Sequence, residues 1–349
     1  AYELTYGDWS FRRVLFRSSP LTLIQNLETT IKEPLASDGR VLDTVRQAHQ
    51  RFQTALTRLF PGHLVLSLSS GIIHHRLVAK IAEMNGVPPY PVTPRILGPN
   101  MCMPFGKILR GKAVPNTVTK TLHTDKVFAP DLRSFTIEAY PHYAPLPDQI
   151  RIIKSFMRPV IMVDDLLHKG SRIRVLKPLM DKEQIQIKSI LVGLLSGRGR
   201  DYILESGLTV DSVYYVPNMR GWFVESTMYP FIGGDTVRRA GMKVPGLLPS
   251  VNLLLPYGVP PLHQYYSHNN AFELSLTCLN NALAIMSTLE TEYRLQFGKN
   301  LTLSRLAEAI IRPLCPDRGG CVDYDPSLSA TEYLNNDIEM LLRLEQVMK

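Results

Sequence analysis

Cysteine and tryptophan are scarce in this chain, whose 349 residues include four cysteines and two tryptophans. Four widely spaced cysteines are too few to cross-link a chain of this length, which excludes a disulfide scaffold and favours a reducing compartment, the cytoplasm. Long apolar runs are missing as well. Ser, Asp, Gly or Pro interrupts each apolar stretch before the roughly 18 to 20 residues that a membrane helix needs. We therefore expect no membrane partner.

Acidic residues are outnumbered, because Lys and Arg total 39 and Asp and Glu total 31, for a formal net charge of +8. This surplus favours partners that carry phosphate, whether a phosphorylated small molecule, nucleic acid or anionic lipid. The composition, with 45% hydrophobic and 20% charged residues, is that of a globular chain that can bury a substantial core. It excludes disorder, collagen and coiled coil.

Residues 7–18, GDWSFRRVLFRS, resemble a translated sequencing adapter. The resemblance implies a gene fragment from bacterial metagenomic material, and it makes residues 1–18 an artefactual leader without a function. We then expect a natural upstream domain to be missing.

Hydrophobic periodicity predicts three regions after this leader. In residues 19–62, apolar side chains recur at steps of three and four, which predicts an amphipathic helix with the buried face Val41, Val45, Ala48, Phe52, Leu56 and Leu59. Residues 63–235 alternate β-prone runs with helical patterns, which predicts an α/β domain around an open, mostly parallel sheet. Residues 236–349 combine a Pro-rich connector with a predicted C-terminal helical domain.

The segment 160–172, VIMVDDLLHKGSR, carries the most informative pattern. A buried strand ends on two acids, Asp164 and Asp165, and a short Gly-containing turn then leads into a helix. Open α/β sheets bind ligands at the carboxyl ends of their strands, and a helix N-terminus binds phosphate. Ionised carboxylates accept hydrogen bonds, so two of them suit the cis hydroxyls of a ribose. The pattern predicts a site for ribose 5-phosphate.

This segment resembles the 5-phosphoribosyl pyrophosphate (PRPP) motif of the type I phosphoribosyltransferases. In that motif, four apolar residues and two acids are followed by two apolar residues, a variable pair, Gly, a variable residue and a hydroxyl residue. Asp164 and Asp165 fall on the acids and Gly170 falls on the glycine. Lys169 and Arg172 depart from the motif, because the family usually has Thr at the first position and a hydroxyl residue at the second.

The resemblance covers residues 63–235 and implies the family's sheet topology, binding of PRPP with Mg²⁺, and transfer of ribose 5-phosphate to or from a nitrogenous base. Asp164 and Asp165 would be catalytic, since they would orient the ribose. The segment Gly106–Lys126 would be a flexible hood, and His123 belongs to its cations. The 5′-phosphate would be bound by Leu167, His168, Lys169, Gly170, Ser171 and Arg172, pyrophosphate by Ser69, Ser70, Gly71, Lys107, Arg110, Lys112, Lys120 and Lys126, and the base by Trp222 and Phe223.

No metal site formed by the chain itself is predicted. Cys315 and Cys321 lack zinc spacing, and adjacent histidines such as His74 and His75 would point about 100° apart on a helix. The Mg²⁺ that accompanies PRPP needs few protein ligands.

Two other classes of function fit the same residues. One is a regulatory module that senses PRPP or a nucleotide without turnover, which the departures at Lys169 and Arg172 permit. The other is an RNA-binding protein that uses the basic stretch Gly106–Lys126. Single features also have structural explanations: Trp222 and Phe223 can be core aromatics. A homodimer is a further expectation.

Overall fold

A computed structural model describes residues 19–109, 111–238, 244, 246–258, 268–318 and 323–348. The predicted leader, residues 1–18, and Arg110 lie outside these described residues. The strands are β1 (Leu21–Gln25), β2 (Val65–Ser69), β3 (Met101–Pro104), β4 (Val118–Thr119), β5 (Thr124–Phe128), β6 (Phe135–Ala139), β7 (Val160–Leu167), β8 (Ile187–Ser196), β9 (Val210–Val216), β10 (Gly221–Val224), β11 (Asp235–Val237), β12 (Leu248–Val251) and β13 (Leu314–Pro316). The α-helices are α1 (Gly39–Leu59), α2 (Ser70–Asn85), α3 (Leu146–Lys154), α4 (Ser171–Lys182), α5 (Gly197–Glu205), α6 (His268–Phe297), α7 (Leu306–Ala309) and α8 (Ala330–Met348).

The chain divides into two units, each assembled from separate segments. Among the described residues, unit 1 consists of residues up to Pro20, Ser69–Lys126 and Ile137–Gly221; unit 2 consists of Leu21–Leu68, Val127–Thr136 and the residues from Trp222 onward. This division differs from the sequence-based ranges 19–62, 63–235 and 236–349. The physical reason is that α1, near the start of the chain, packs against α6, near its end, so both ends share one core.

Unit 1 is built on a five-stranded sheet with the order β4-β3-β7-β8-β9. Neighbouring strands in it are parallel throughout. The face that carries Met162 and Val192 shares a core with α3, α4 and α5. On the other face, Ile73 of α2 packs against Gly193. Helices on both faces explain the continuous apolar runs of β7 and β8, and the predicted α/β class with a mostly parallel sheet is confirmed for this unit.

Helix α2 runs antiparallel to the strands of this sheet. At its C-terminal end, the Asn85 side chain bonds to the backbone of Asn100, just before β3. Farther back along the helix, Lys80 pairs with Asp211 at the start of β9. The first turn of α2, Ser70–Ile73, therefore lies at the edge where the parallel strands end, which we call the carboxyl edge.

Unit 2 is organised around the long helices α1, α6 and α8, and α6 packs against both of the others. The predicted buried face of α1 is confirmed at each of its six positions. One sheet of this unit has the order β10-β1-β2. Strand β11 is parallel to β5 and antiparallel to β12, so a second sheet is mixed.

The helices in the described part of the chain include none that is both long and apolar enough to cross a membrane. Three cysteines, Cys102, Cys278 and Cys315, are buried and form no disulfide.

Candidate functional site

The two predicted acids lie within β7 and not at its end. The strand continues through them to Leu167, paired with β8. Pairing with β3 on the other side stops where Val163 is level with Pro104. Asp164 and Asp165 therefore sit at the carboxyl edge, at the point where β7 loses one of its two neighbours.

Arg172, in the first turn of α4, binds Asp164 directly. Its Nη1 donates to Oδ1 of Asp164 at 2.9 Å and to Oδ2 at 3.1 Å. The same nitrogen lies 3.9 Å from Oδ1 of Asp165. Since the Asp164 side chain is only 3% exposed, this is a largely buried ion pair. Arg172, one of the two positions that differ from the PRPP motif, is thus the partner of Asp164.

Gly106 brings the backbone after β3 against both carboxylates. A Cβ atom at this position would lie 1.9 Å from Oδ1 of Asp165 and 2.0 Å from Oδ1 of Asp164, so no larger residue fits. The backbone N–H of Lys107 donates to Oδ1 of Asp165 at 2.9 Å. The N–H of Asp165 in turn donates to Oδ1 of Asp164 at 2.8 Å. Backbone groups therefore fix the orientation of both acids.

The surroundings drive the pKa values of the two acids apart. Burial raises the pKa of Asp164 well above its usual value, although Arg172 opposes this effect. Burial acts in the same direction on Asp165, but the hydrogen bond with Asp164, the charge of Arg172 and the Lys107 N–H outweigh it, so its pKa is lowered. Asp165 is therefore the more acidic of the two carboxyl groups.

Asp125, which the sequence analysis missed, is a third acid of this cluster. It is buried, and its charge adds to those that raise the pKa of Arg172 against the effect of burial. Its neighbour Thr124 donates its hydroxyl to the carbonyl of Phe105 at 2.7 Å, which anchors the segment beside Gly106. Asp125 lies in the polar run HTDK, whose residues show no periodicity, so no sequence signal marks it.

The predicted phosphate loop consists of only three residues between β7 and α4. Gly170 has φ 71° and precedes the first turn of α4, which no side chain caps. The backbone N–H groups of a helix's first turn are donors that suit an anion. Leu167 and His168 are buried, Ser171 is half-buried and Lys169 is exposed. Burial lowers the pKa of His168.

The predicted pyrophosphate residues Ser69, Ser70 and Gly71 begin α2 at the same carboxyl edge. The hydroxyl of Ser69 accepts a hydrogen bond from the N–H of Ile72, at 3.5 Å. In the next turn of α2, burial and the nearby charge of Lys112 lower the pKa of His74. The structure therefore brings Lys112 close to the N-terminal part of α2. The sequence does not reveal this proximity, because the two segments are far apart in the chain.

The predicted hood, Gly106–Lys126, is packed into unit 1 in its described part. It contains β4, and its residues Leu109, Val114 and Leu122 are buried in the core. The N–H of Lys120 donates to the carbonyl of Cys102 in β3. Apolar side chains thus attach this segment to the sheet, while the side chains of Lys107, Lys112 and Lys120 are exposed and that of Lys126 is half-buried.

The predicted base-binding pair lies in β10 and belongs to unit 2. Phe223 is 6% exposed and meets the ring of Phe52 edge-on, with 6.3 Å between centroids. It therefore has almost no surface to offer a base, and its packing fits the alternative of a core aromatic. Trp222 is 40% exposed.

The acid pair does not fit a metal ion held by the chain. Both oxygens of Asp164 face the guanidinium of Arg172, a cation in the place that a metal would take. In the part of the chain that the structure describes, no three His, Cys, Asp or Glu side chains come together as a metal site.

No model of a known protein family matches the chain, and no curated protein sequence matches it either.

Proposed function

We propose that unit 1 binds PRPP, or a nucleotide that contains ribose 5-phosphate, and transfers the phosphoribosyl group to or from a nitrogenous base. The observation that carries the proposal is that Asp164 and Asp165 lie beside the uncapped N-terminus of α4 at the carboxyl edge. Carboxylates suit ribose hydroxyls, and helix N–H groups suit the 5′-phosphate. The sheet topology of the type I phosphoribosyltransferases is part of the same proposal.

Pyrophosphate would bind at the N-terminus of α2. Ser69–Gly71 opens this helix at the same edge, and Lys112 lies near its first turns. The partial positive charge of a helix N-terminus and the lysine ammonium would both stabilise a leaving pyrophosphate. Oxygens of the ligand itself would hold the Mg²⁺ that accompanies PRPP.

Transfer would break the bond between ribose C1 and the pyrophosphate oxygen, and its electron pair would leave with pyrophosphate. The lone pair of a base nitrogen would form the new bond to C1, and that nitrogen would then lose its proton to solvent. Positive charge develops on the ribose in between, and an ionised carboxylate close to the sugar stabilises it. In our proposal Asp165 has this role, because its pKa is lowered.

The ion pair between Arg172 and Asp164 favours a second candidate, a module that senses PRPP or a nucleotide without turnover. Asp164 accepts Arg172 through both oxygens, so it can accept ribose hydroxyls only if that pair opens. In a sensor, the pair would stay closed, and Asp165 with the N-terminus of α4 would hold the ligand.

Isothermal titration with PRPP and Mg²⁺ tests the binding site. We expect wild type to bind and the double variant Asp164→Asn with Asp165→Asn to lose at least tenfold in affinity. Asp181→Asn, an exposed acid near the far end of α4, is the matched control and should bind normally. Absence of binding by wild type, or equal affinity of the double variant, would disprove the ribose site.

Pyrophosphate release over a panel of purine and pyrimidine bases then separates the two candidates. Release that depends on a base supports transfer. Binding of PRPP without release supports the sensor and rejects the enzyme.

A further inference from the structure

The base of the proposed ligand lacks a partner in the site described so far. Phe223 is buried in the core of unit 2, so its ring is not accessible to a base. A base joined to the ribose would need a flat surface near the carboxyl edge of unit 1, such as an exposed aromatic ring held in a fixed position.

We infer that Tyr143, stacked on His123, is the platform on which a planar nitrogenous base binds; the inference rests on the proposed function. The two rings are 3.7 Å apart between centroids, with 21° between their planes. Tyr140 meets Tyr143 edge-on, at 6.0 Å and 70°. Tyr143 is 45% exposed, so part of its ring is available to a ligand.

Backbone contacts place this pair level with the acids. The segment around His123 runs beside β3: the N–H of Leu122 donates to the carbonyl of Pro104, and the hydroxyl of Thr124 donates to the carbonyl of Phe105. Phe105 precedes Gly106, which touches both acids. His123 is therefore two strand spacings from β7, about 10 Å. A ribose and its attached base span a distance of that order.

One buried side chain fixes both halves of the platform. The Oε1 atom of Gln149 accepts the N–H of His123 at 2.8 Å, and its Nε2 donates to the carbonyl of Ala144 at 2.6 Å. Ala144 directly follows Tyr143, so Gln149 fixes the backbone at both stacked residues. A ring that is both exposed and rigid loses little conformational entropy when a base stacks on it.

The chemistry of stacking defines the ligand class. Every nucleobase has a π-face, so an aromatic platform accepts purines and pyrimidines and strengthens binding of each. Ribose 5-phosphate alone has no such face. The platform is therefore expected to distinguish nucleoside monophosphates from the bare sugar phosphate.

The test uses AMP, UMP and ribose 5-phosphate as probes in isothermal titration with the full chain. We expect Tyr143→Ala to weaken AMP and UMP by about tenfold and to leave ribose 5-phosphate unchanged. Tyr143→Phe keeps the ring and should retain wild-type affinity. Tyr90→Ala removes another exposed tyrosine and is the matched control. Thermal unfolding verifies that each variant is folded.

The outcomes separate the two proposals. If Tyr143→Ala leaves AMP and UMP binding unchanged, or weakens all three probes equally, the platform is wrong and the sugar-phosphate site stands. If wild type binds none of the three probes nor PRPP, both proposals are wrong.

Discussion

Arg172 binds Asp164 through both carboxylate oxygens, at 2.9 and 3.1 Å from one guanidinium nitrogen. The charges of Asp164 and Asp165 raise the pKa of the guanidinium against the effect of burial, so it stays protonated. A phosphate at the N-terminus of α4 would therefore compete with Asp164 for the same cation. Binding of a phosphate there would exchange one anion, the Asp164 carboxylate, for another at Arg172.

Removing Arg172 should destabilise the fold, because Asp164 would stay buried without its cation. We expect Arg172→Gln to lower the free energy of unfolding by about 3 kcal/mol in urea denaturation. The double variant Arg172→Gln with Asp164→Asn should recover part of this loss. Arg174→Gln, which removes a guanidinium over the ring of Tyr202, is the control and should cost less than about 1 kcal/mol. Equal losses in the two single variants would contradict the buried pair.

A methyl group at Gly106 should disrupt the acid pair, since its Cβ would lie within 2.0 Å of Oδ1 of Asp164. We expect Gly106→Ala to lower the free energy of unfolding by about 2 kcal/mol, as overpacking usually does, and to abolish PRPP binding. Gly39→Ala is the matched control, because nothing lies within 4 Å of its Cβ. A stable Gly106→Ala variant with unchanged binding would show that the carboxylates are placed differently.

His74 should make the protein less stable as the pH falls through the range of histidine titration. Burial, with the charges of Lys112 and His75, lowers the pKa of His74 below its usual value of 6.5. The unfolded chain then binds a proton more readily, so the stability present above pH 6.5 is lost as the pH falls toward the folded pKa.

Urea denaturation at pH 7 and pH 5 measures this loss. It should be smaller in His74→Gln, and the remaining loss includes His168, whose pKa burial also lowers. If His74→Gln loses as much stability as wild type, the proposed environment of His74 is wrong.

A buried polar network in unit 2 should contribute to stability independently of the site. The hydroxyl of Tyr229 donates to Glu225 at 2.9 Å and accepts from Asn281 at 3.0 Å, and Glu225 also pairs with His49. Tyr229→Phe removes one hydrogen bond from Glu225 and one from Asn281, which should lower the free energy of unfolding by about 1 to 3 kcal/mol. Tyr90→Phe, at an exposed tyrosine, should change the free energy of unfolding by less than about 0.5 kcal/mol in the same urea series. A Tyr229→Phe variant as stable as wild type would contradict the network.

Features that depend on neighbouring residues in the chain were predictable, and those that depend on distant pairing were not. The buried face of α1 follows from a period of three to four residues, and the apolar run of β7 follows from burial on both faces. Asp125 acts on Arg172, and Gly106 lies against the two acids, although in each case the partners are far apart in the chain. The residues next to Asp125 and Gly106 in the sequence carry no signal that the fold brings them to Arg172 and the acid pair.

The same limit explains the outcome for Arg172 and Phe223. Arg172 was predicted as a phosphate ligand from its place in the motif, but only the fold shows that its guanidinium donates to Asp164. Phe223 was predicted to face a base, but its neighbour Phe52 comes from α1, a helix that the sequence analysis assigned to a different region.

The pairing of α1 with α6 has a consequence for synthesis of the chain. Helix α1 ends at Leu59, and its partner begins only at His268. At ribosomal rates of about 5 to 20 residues per second, ten seconds or more pass between their emergence. The apolar stripe of α1 lacks its α6 partner during that time, so we expect the nascent chain to need protection from aggregation until α6 has left the ribosome.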